Sequence, residues 1–347
     1  MNIERKPTTS PNTMNPDSDL LLSIKDLKVH FVGDGPVAKA VDGVCVQVHR
    51  GQTVCIVGES GCGKTVTALA TLGLLKQPPA VIAGGSIAFD GLKMLEMTPS
   101  QLREVRGSRI SMIFQEPMTS LNPVFTIGDQ VAEAMTAHKQ LNEDQLKKRV
   151  IELLTDVGIV DADHRMGDYP HQLSGGQRQR VMIAMALACE PDLIIADEPT
   201  TALDVTVQAQ ILALLKALKQ KKNMALQYIT HDLGVVAAIA DQVYVMYAGL
   251  VVEQGPAHAI FSNARHPYTL ALLDSLPTKE KRGKRLYSIP GSVPHPAYRP
   301  VGCPFHPRCS SKRSFCETDF PAMCDYGEGH RARCPVLFDA QAGEGGA

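Results

Sequence analysis

Short apolar runs alternate with amphipathic stretches from about residue 20 to residue 275. Four of the apolar runs have the length and β-rich composition of buried strands: 53–57, 109–115, 192–197 and 225–230. Helical patterns cover 64–75 and 205–221, and the region from about 127 to 160 is largely helical. Strands that alternate with helices predict an α/β fold built on a parallel sheet.

The character of the sequence changes after residue 277, where Pro, Cys and Arg dominate and long periodic segments disappear. We therefore predict one large α/β domain over 20–277, with a helical subdomain at about 122–178, and a small Cys-rich C-terminal domain over 278–337. The ends of the chain, 1–19 and 338–347, have the composition of disordered tails.

Charge and hydropathy exclude several classes of protein. The 347 residues carry a net charge of −1, which gives no basic face for nucleic acid, and the basic run 279–285 is interpreted as a solvated linker. No window of 18 apolar residues is present, and the N-terminus lacks the apolar core of a signal peptide. We expect a cytosolic protein, in which structural disulfides are rare.

The segment GESGCGKT fits the phosphate-loop pattern G-x-x-x-x-G-K-[ST] and lies between a predicted strand and a predicted helix. Glycines let backbone N–H groups surround phosphate oxygens, and the helix presents its positive end to the same anions. Lys64 is expected to reach the β- and γ-phosphates, and the Thr65 hydroxyl is expected to coordinate Mg²⁺. The candidate loop residues are Gly58, Glu59, Ser60, Gly61, Cys62, Gly63, Lys64 and Thr65.

Two carboxylates follow the apolar run LIIA at 193–196. The carboxyl ends of parallel strands are where ligands bind in open α/β sheets. We predict that Asp197 holds Mg²⁺ and that Glu198 orients or deprotonates the attacking water. A helix N-cap at Asp197 is the structural alternative, although it leaves Glu198 unexplained.

The segment QLSGGQRQR begins with a capping box, in which Ser174 and Gln177 satisfy the first turn of a helix. Gly175 and Gly176 are not needed for such a cap, and each costs about 1 kcal/mol relative to Ala in a helix. The two glycines indicate that a large anionic group approaches the backbone here.

These motifs together resemble the ATP-binding cassette (ABC) ATPases, whose signature is LSGGQ. Gln115 matches the Q-loop, ALD at 202–204 with Asp204 matches the D-loop, and His231 matches the switch histidine. Phe31 is a candidate platform for adenine, with a core phenylalanine as the alternative. The resemblance covers residues 20–277.

The resemblance implies a mechanism in which two cassettes pair head to tail around ATP. Mg²⁺ is then held by Thr65, Gln115 and Asp197, while Glu198, Gln115 and His231 act at the γ-phosphate. The signature residues contact ATP bound to the partner chain: Ser174, Gly175, Gly176 and Gln177.

The flanking segments QEPMTSLNPVFTIGDQ and RHPYTLALLDSLP are similar to the dipeptide/oligopeptide permease ATP-binding subunits. That resemblance implies a peripheral subunit on the cytoplasmic face of the inner membrane. It also implies a second ABC ATPase as heterodimer partner, two integral membrane permeases and an extracytoplasmic peptide-binding protein. Nickel, glutathione or a sugar is the alternative cargo, and a soluble ABC ATPase without a permease is the alternative class.

Five of the nine cysteines lie in the last 45 residues. Four of them match the C-terminal extension of the permease family: Cys303, Cys309, Cys316 and Cys334. Thiolates in a reducing cytosol can hold a [4Fe–4S] cluster or Zn²⁺, and the resemblance favours the cluster as a staple for a module with almost no core. Cys324 departs from the four-cysteine pattern.

The remaining cysteines divide into two groups. Cys62 lies in the phosphate loop near Lys64 and a helix N-terminus, surroundings that lower a thiol pKa, so we expect alkylation there to inhibit and MgATP to protect. An inert residue that fills space is the alternative. Cys45, Cys55 and Cys189 lie in apolar runs and are expected to be inert core residues.

Overall fold

The computed structural model of the chain describes these residues: 19–115, 120–201, 203–277, 283 and 287–337. The predicted tails lie outside the described residues apart from Asp19, and so does most of the basic run 279–285. Within the described ranges, no helix combines the length and the apolar character that crossing a bilayer requires.

The strands, in chain order, are β1 (Leu20–Phe31), β2 (Ala38–His49), β3 (Thr53–Val57), β4 (Ala80–Phe89), β5 (Leu92–Lys93), β6 (Ile110–Ile113), β7 (Leu193–Asp197), β8 (Ala225–Thr230), β9 (Gln242–Tyr247), β10 (Leu250–Pro256), β11 (Cys324–Asp325) and β12 (Arg331–Ala332).

The α-helices are α1 (Lys64–Thr71), α2 (Pro99–Val105), α3 (Ile127–Thr136), α4 (Glu143–Asp156), α5 (Ala162–Arg165), α6 (Gly175–Leu187), α7 (Val205–Lys222), α8 (Leu233–Ile239), α9 (Ala257–Asn263) and α10 (Pro267–Asp274). Short 3₁₀ helices cover Met94–Glu96, Pro170–Gln172, His306–Arg308 and Ser314–Glu317.

The larger sheet has the order β11-β12-β10-β9-β3-β8-β7-β6. Its central strands are parallel: β3 lies between β8 and β9, and β7 lies between β6 and β8. Every residue of β3, β7 and β8 is buried, as their apolar sequences predict. The carboxyl ends of these strands therefore meet at one edge, where Val57 pairs with Thr230 and Asp197 with Ile229.

A smaller antiparallel sheet has the order β2-β1-β4-β5. Its buried side chains share a core with α1 and with one face of the larger sheet, including Val54, Ile56 and Ala68. The other face of the larger sheet packs against the helices, with Cys55, Val131 and Val181 in one cluster. The parallel strands are thus covered on both sides.

The C-terminal segment adds two strands to the edge of the larger sheet. Glu253 and Gln254 of β10 pair with Ala332 and Arg331 of β12, and β11 pairs with β12. Phe305 is 2% exposed and belongs to the same hydrophobic cluster as the helices and the parallel sheet. The C-terminal segment therefore shares the main core, contrary to the expectation that it has almost none.

Candidate active site

The loop between β3 and α1 has room for glycine alone at two positions. A Cβ atom on Gly58 would lie 2.2 Å from the Met246 carbonyl oxygen, and one on Gly63 would lie 2.5 Å from the Ala40 carbonyl oxygen. Both residues also have positive φ angles, 152° and 103°. At Gly61 the space around a Cβ position is open, so the loop has one open side.

A cavity of about 220 Å³ lies at that open side. It is lined by Ala40, Ser60, Gly61, Gly63, Lys64, Thr65, Val66, Gln115 and Glu198. The Lys64 ammonium donates to the carbonyl oxygens of Gly58, at 2.8 Å, and Glu59, at 3.1 Å. The structure thus brings five of the eight predicted loop residues to one cavity, together with Ala40, Gln115 and Glu198 from more distant parts of the chain.

Asp197 ends β7 and is 3% exposed. Burial, with a smaller contribution from Glu198, raises the pKa of the Asp197 carboxyl, while the hydrogen bond to Thr65 opposes the shift. One carboxylate oxygen, Oδ1, is buried without a hydrogen-bond partner among the described residues. A buried carboxylate oxygen that lacks a donor, beside a threonine hydroxyl, fits a site for a hard cation such as Mg²⁺. The N-cap alternative is wrong, because the next helix, α7, is capped by Asp204.

Three side chains meet at a single carboxylate oxygen of Glu198, Oε2. Gln115 Nε2 donates to it at 3.4 Å and Thr201 Oγ1 donates at 3.1 Å, while His231 Nδ1 lies 3.1 Å away. The φ angle of Glu198 is +45°, in the left-handed region that a glutamate rarely adopts. Strain of this kind concentrates at functional sites, and here it accompanies the convergence of three segments on one carboxylate.

The segment LSGGQ forms the expected capping box, but its residues do not line the cavity beside Lys64. Gln177 N donates to Ser174 Oγ at 3.3 Å, and Ser174 N donates to Gln177 Oε1 at 3.0 Å. A Cβ on Gly176 would lie 2.7 Å from Val207 Cγ1, so α7 itself requires a glycine there. Sequence reasoning missed this packing constraint, because it joins two helices that are distant in the sequence.

Two further candidates also lie outside the lining of the cavity. Asp204 Oδ1 accepts from the N–H groups of Thr206 and Val207, both at 3.0 Å, and Ala202 of the D-loop lies outside the described residues. Phe31 ends β1 and packs against the core of the smaller sheet. Each has a structural role in this chain.

The four C-terminal cysteines line one cavity of about 320 Å³, but they do not form a metal centre. Among the described residues, no three His, Cys, Asp or Glu side chains make a group that could hold a metal ion. Burial raises the pKa of the Cys303, Cys309 and Cys334 thiols, the last to about 11. The structure contradicts the predicted [4Fe–4S] cluster at Cys303, Cys309, Cys316 and Cys334 and gives the zinc alternative no support.

Two predictions about the other cysteines are also wrong. Cys62 is fully buried, and burial raises the pKa of its thiol despite the nearby Lys64 ammonium, so the expected lowering does not occur. Cys45 is exposed on β2 and accepts a hydrogen bond from Asp26 N, so it is not a core residue. Cys55 and Cys189 are buried, as predicted.

Two family models match the chain. One, described as ABC transporter, matches residues 41–201, and the other, described as Oligopeptide/dipeptide transporter, C-terminal region, matches residues 252–316. A probable peptide ABC transporter ATP-binding protein of Sinorhizobium fredii is 50% identical over 92% of this chain and 96% of its own length. The chain belongs to the ATP-binding proteins of the peptide ABC transporters.

Further relatives agree with that family. The dipeptide transport ATP-binding protein DppD of Escherichia coli is 49% identical over 92% of this chain and 97% of its own length. Among solved structures, the dimeric ATP-binding cassette MJ0796 with ADP and Pi matches with a TM-score of 0.61 and 27% identity, over 68% of this chain and 99% of that one. The cbiO1 protein of Clostridium perfringens matches with a TM-score of 0.61 and 29% identity, over 71% of this chain and 92% of that one.

Proposed function

We propose that this chain hydrolyses MgATP and so powers the import of dipeptides and oligopeptides through a membrane transporter. The observation that carries the proposal is the convergence of Gln115, Thr201 and His231 on Glu198 at the cavity beside Lys64. Peptides are proposed as the cargo because the names of the relatives include peptide or dipeptide transport.

The functional residues at the cavity and beside it have roles that their positions support. Lys64 and the N–H groups of the loop bind the phosphates of ATP. Thr65, Asp197 and Gln115 hold Mg²⁺, which supplies positive charge against those phosphates when it is bound. Glu198 takes a proton from the attacking water as the γ-phosphoryl group passes to that water and its bond to the departing ADP breaks, and His231, beside the same carboxylate oxygen, contacts the γ-phosphate.

The signature residues Ser174, Gly175, Gly176 and Gln177 act on a second ATPase subunit in this proposal. They do not line the cavity of their own chain within the described residues. A solved relative of the fold is a dimeric cassette, which supports an arrangement of two cassettes. We assign these residues and Asp204 to the face that meets a related ATPase subunit in a head-to-tail heterodimer.

We further propose that the chain sits on the cytoplasmic face of the inner membrane, against two permease subunits fed by an extracytoplasmic peptide-binding protein. A groove of about 280 Å³ fits a short apolar segment of a permease, since Ile113, Phe114, Ala134, Met182 and Met185 contribute to its walls. Phe114 is 43% exposed and immediately precedes Gln115, whose side chain donates to Glu198. A permease segment bound in the groove would therefore lie one residue away from a side chain that contacts Glu198.

Purification of the transporter with a tag on a permease subunit tests this docking surface. Phe114→Asp should lose this chain from the complex, while Val160→Asp, at a valine that is 80% exposed, is the control and should be retained. Retention of Phe114→Asp at wild-type level would refute the groove as the permease site. Absence of the wild-type chain from the complex would instead favour a soluble ABC ATPase.

Uptake by whole cells tests the transport function. A deletion strain that needs one amino acid should grow on a dipeptide containing it when it carries the wild-type chain, and should fail when it carries Lys64→Ala. Loss of nickel, glutathione or sugar uptake with peptide uptake intact would replace peptides by the alternative cargo.

A further inference from the structure

The C-terminal segment reaches the phosphate loop through one buried arginine. Arg308 lies in the 3₁₀ helix His306–Arg308, and its side chain is 5% exposed. Its Nη1 donates to Glu59 Oε2 at 2.7 Å and its Nη2 donates to Glu59 Oε1 at 2.9 Å. Two parallel bonds of this kind are the strongest geometry for an arginine and a carboxylate.

Glu59 is held at its backbone as well as its side chain. Its N–H donates to the Tyr268 hydroxyl at 2.9 Å, and its carbonyl oxygen accepts from the Lys64 ammonium at 3.1 Å. Arg308 Nε donates to the Pro290 carbonyl oxygen at 2.7 Å, which fixes the guanidinium relative to the C-terminal segment. One residue of the phosphate loop therefore joins Lys64 to Arg308.

An aromatic cluster packs beside this connection. The Phe305 ring lies 5.2 Å from the Tyr247 ring and 5.3 Å from the Tyr268 ring, and the two tyrosine rings are 4.7 Å apart. The cluster contacts both charged residues. The Tyr268 hydroxyl accepts from Glu59 N, and the Tyr247 hydroxyl accepts from Arg308 Nη1 at 3.4 Å.

The charges explain why the connection matters for an anion. Glu59 places a negative charge in a loop that binds phosphate, and its side chain is 31% exposed. Like charges at close range repel, and a bidentate arginine removes most of that repulsion. Arg308 thus neutralises the one acidic side chain in the segment 58–65 and holds its backbone in place.

We propose that Arg308 is a positioning residue for ATP binding, through which the C-terminal segment sets the affinity of the phosphate loop. The proposal rests on ATP binding at this loop. It predicts that loss of the arginine weakens binding chiefly because the Glu59 charge is left uncompensated.

The test measures the Kd of the full-length chain for the non-hydrolysable analogue AMP-PNP with Mg²⁺, beside the thermal midpoint of each variant. Arg308→Gln should raise Kd about tenfold or more, Arg308→Lys should raise it less, and the double variant Arg308→Gln with Glu59→Gln should return Kd to within about threefold of wild type. Arg299→Gln is the matched control, because Arg299 pairs with Asp42 and also ties the C-terminal segment to the main domain. It should leave Kd unchanged whatever it does to the thermal midpoint.

Three results would overturn the proposal. They are an unchanged Kd in Arg308→Gln, an equal rise in Arg299→Gln, and a double variant as weak as the single one. Failure of the wild-type chain to bind the analogue would instead count against the proposed function.

Discussion

Acid should destabilise this protein through His266, a buried histidine at the start of α10. Its Nδ1 accepts the N–H of Tyr268 at 3.1 Å, which requires an unprotonated nitrogen, and the residue is 2% exposed. Burial lowers the pKa of His266 from 6.5 to about 4, although the charge of Glu253 opposes the shift. Protonation therefore costs the folded state both a desolvated charge and a helix cap.

The change in the free energy of unfolding with pH follows from the difference in proton binding between the folded and unfolded states. Between pH 6.5 and 4 the unfolded chain carries the proton on His266 and the folded chain does not, so the free energy of unfolding falls as pH falls through that window. One pH unit is worth about 1.4 kcal/mol, so the full loss below both values is about 3 kcal/mol, and the loss at pH 5 is about 2 kcal/mol.

Equilibrium urea unfolding at pH 7.5 and pH 5 measures this effect. His266→Asn keeps a side-chain acceptor for the cap and removes the titrating ring. The wild type should lose about 2 kcal/mol more than His266→Asn between the two pH values. Glu253 and the His330 side chain that contacts it are common to both proteins, so the difference isolates His266. Equal losses in both proteins would refute the reasoning.

Two further predictions concern the signature helix and the thiols. Gly176→Ala should lower the free energy of unfolding by about 1–3 kcal/mol because the new Cβ meets Val207, and the added change Val207→Ala should restore most of the loss. Gly175→Ala should be tolerated, because the nearest atom to its Cβ would be 3.6 Å away. Thermal unfolding of the wild type and these three variants measures the effect, and a Gly176→Ala variant as stable as the wild type would contradict the prediction. Iodoacetamide at pH 8 should modify the exposed Cys45 well before the buried Cys62, with or without MgATP. Mass spectrometry follows the labelling of both thiols. Fast labelling of Cys62 would contradict the raised pKa of its thiol.

Local sequence predicted the elements that carry the chemistry. The apolar run 225–230 is strand β8 with the same bounds, and the helix predicted over 205–221 is Val205–Lys222. The helix predicted over 64–75 ends early at Thr71, because Gly73 adopts a φ of +60° and leaves the helix. These elements were predictable because the patterns of burial and capping that define them depend on residues that are close together in the sequence.

The missing parts of the site are long-range. Arg308 contacts Glu59 across 249 positions of sequence, and nothing in the segment HPRC separates a buried arginine from a surface one. Burial also decides the thiols: Cys62 has a raised pKa because desolvation exceeds the effect of Lys64, and a sequence shows the lysine but not the burial. The predicted iron–sulfur cluster failed because cysteine spacing does not show how the folded chain arranges the thiols, and among the described residues no group of three or more His, Cys, Asp or Glu side chains could hold a metal ion.

Phosphate release by the Glu198→Gln variant is the decisive test of whether Glu198 takes the proton of the attacking water. The full-length chain is assembled with its transporter subunits, and both ATP binding and phosphate release are measured for wild type and variant. We expect ATP binding within about threefold of wild type and a rate of phosphate release lower by a factor of about 10² to 10⁴, because the carboxylate proposed to take the proton of the attacking water is lost. A variant that releases phosphate at the wild-type rate would show that Glu198 is not the base.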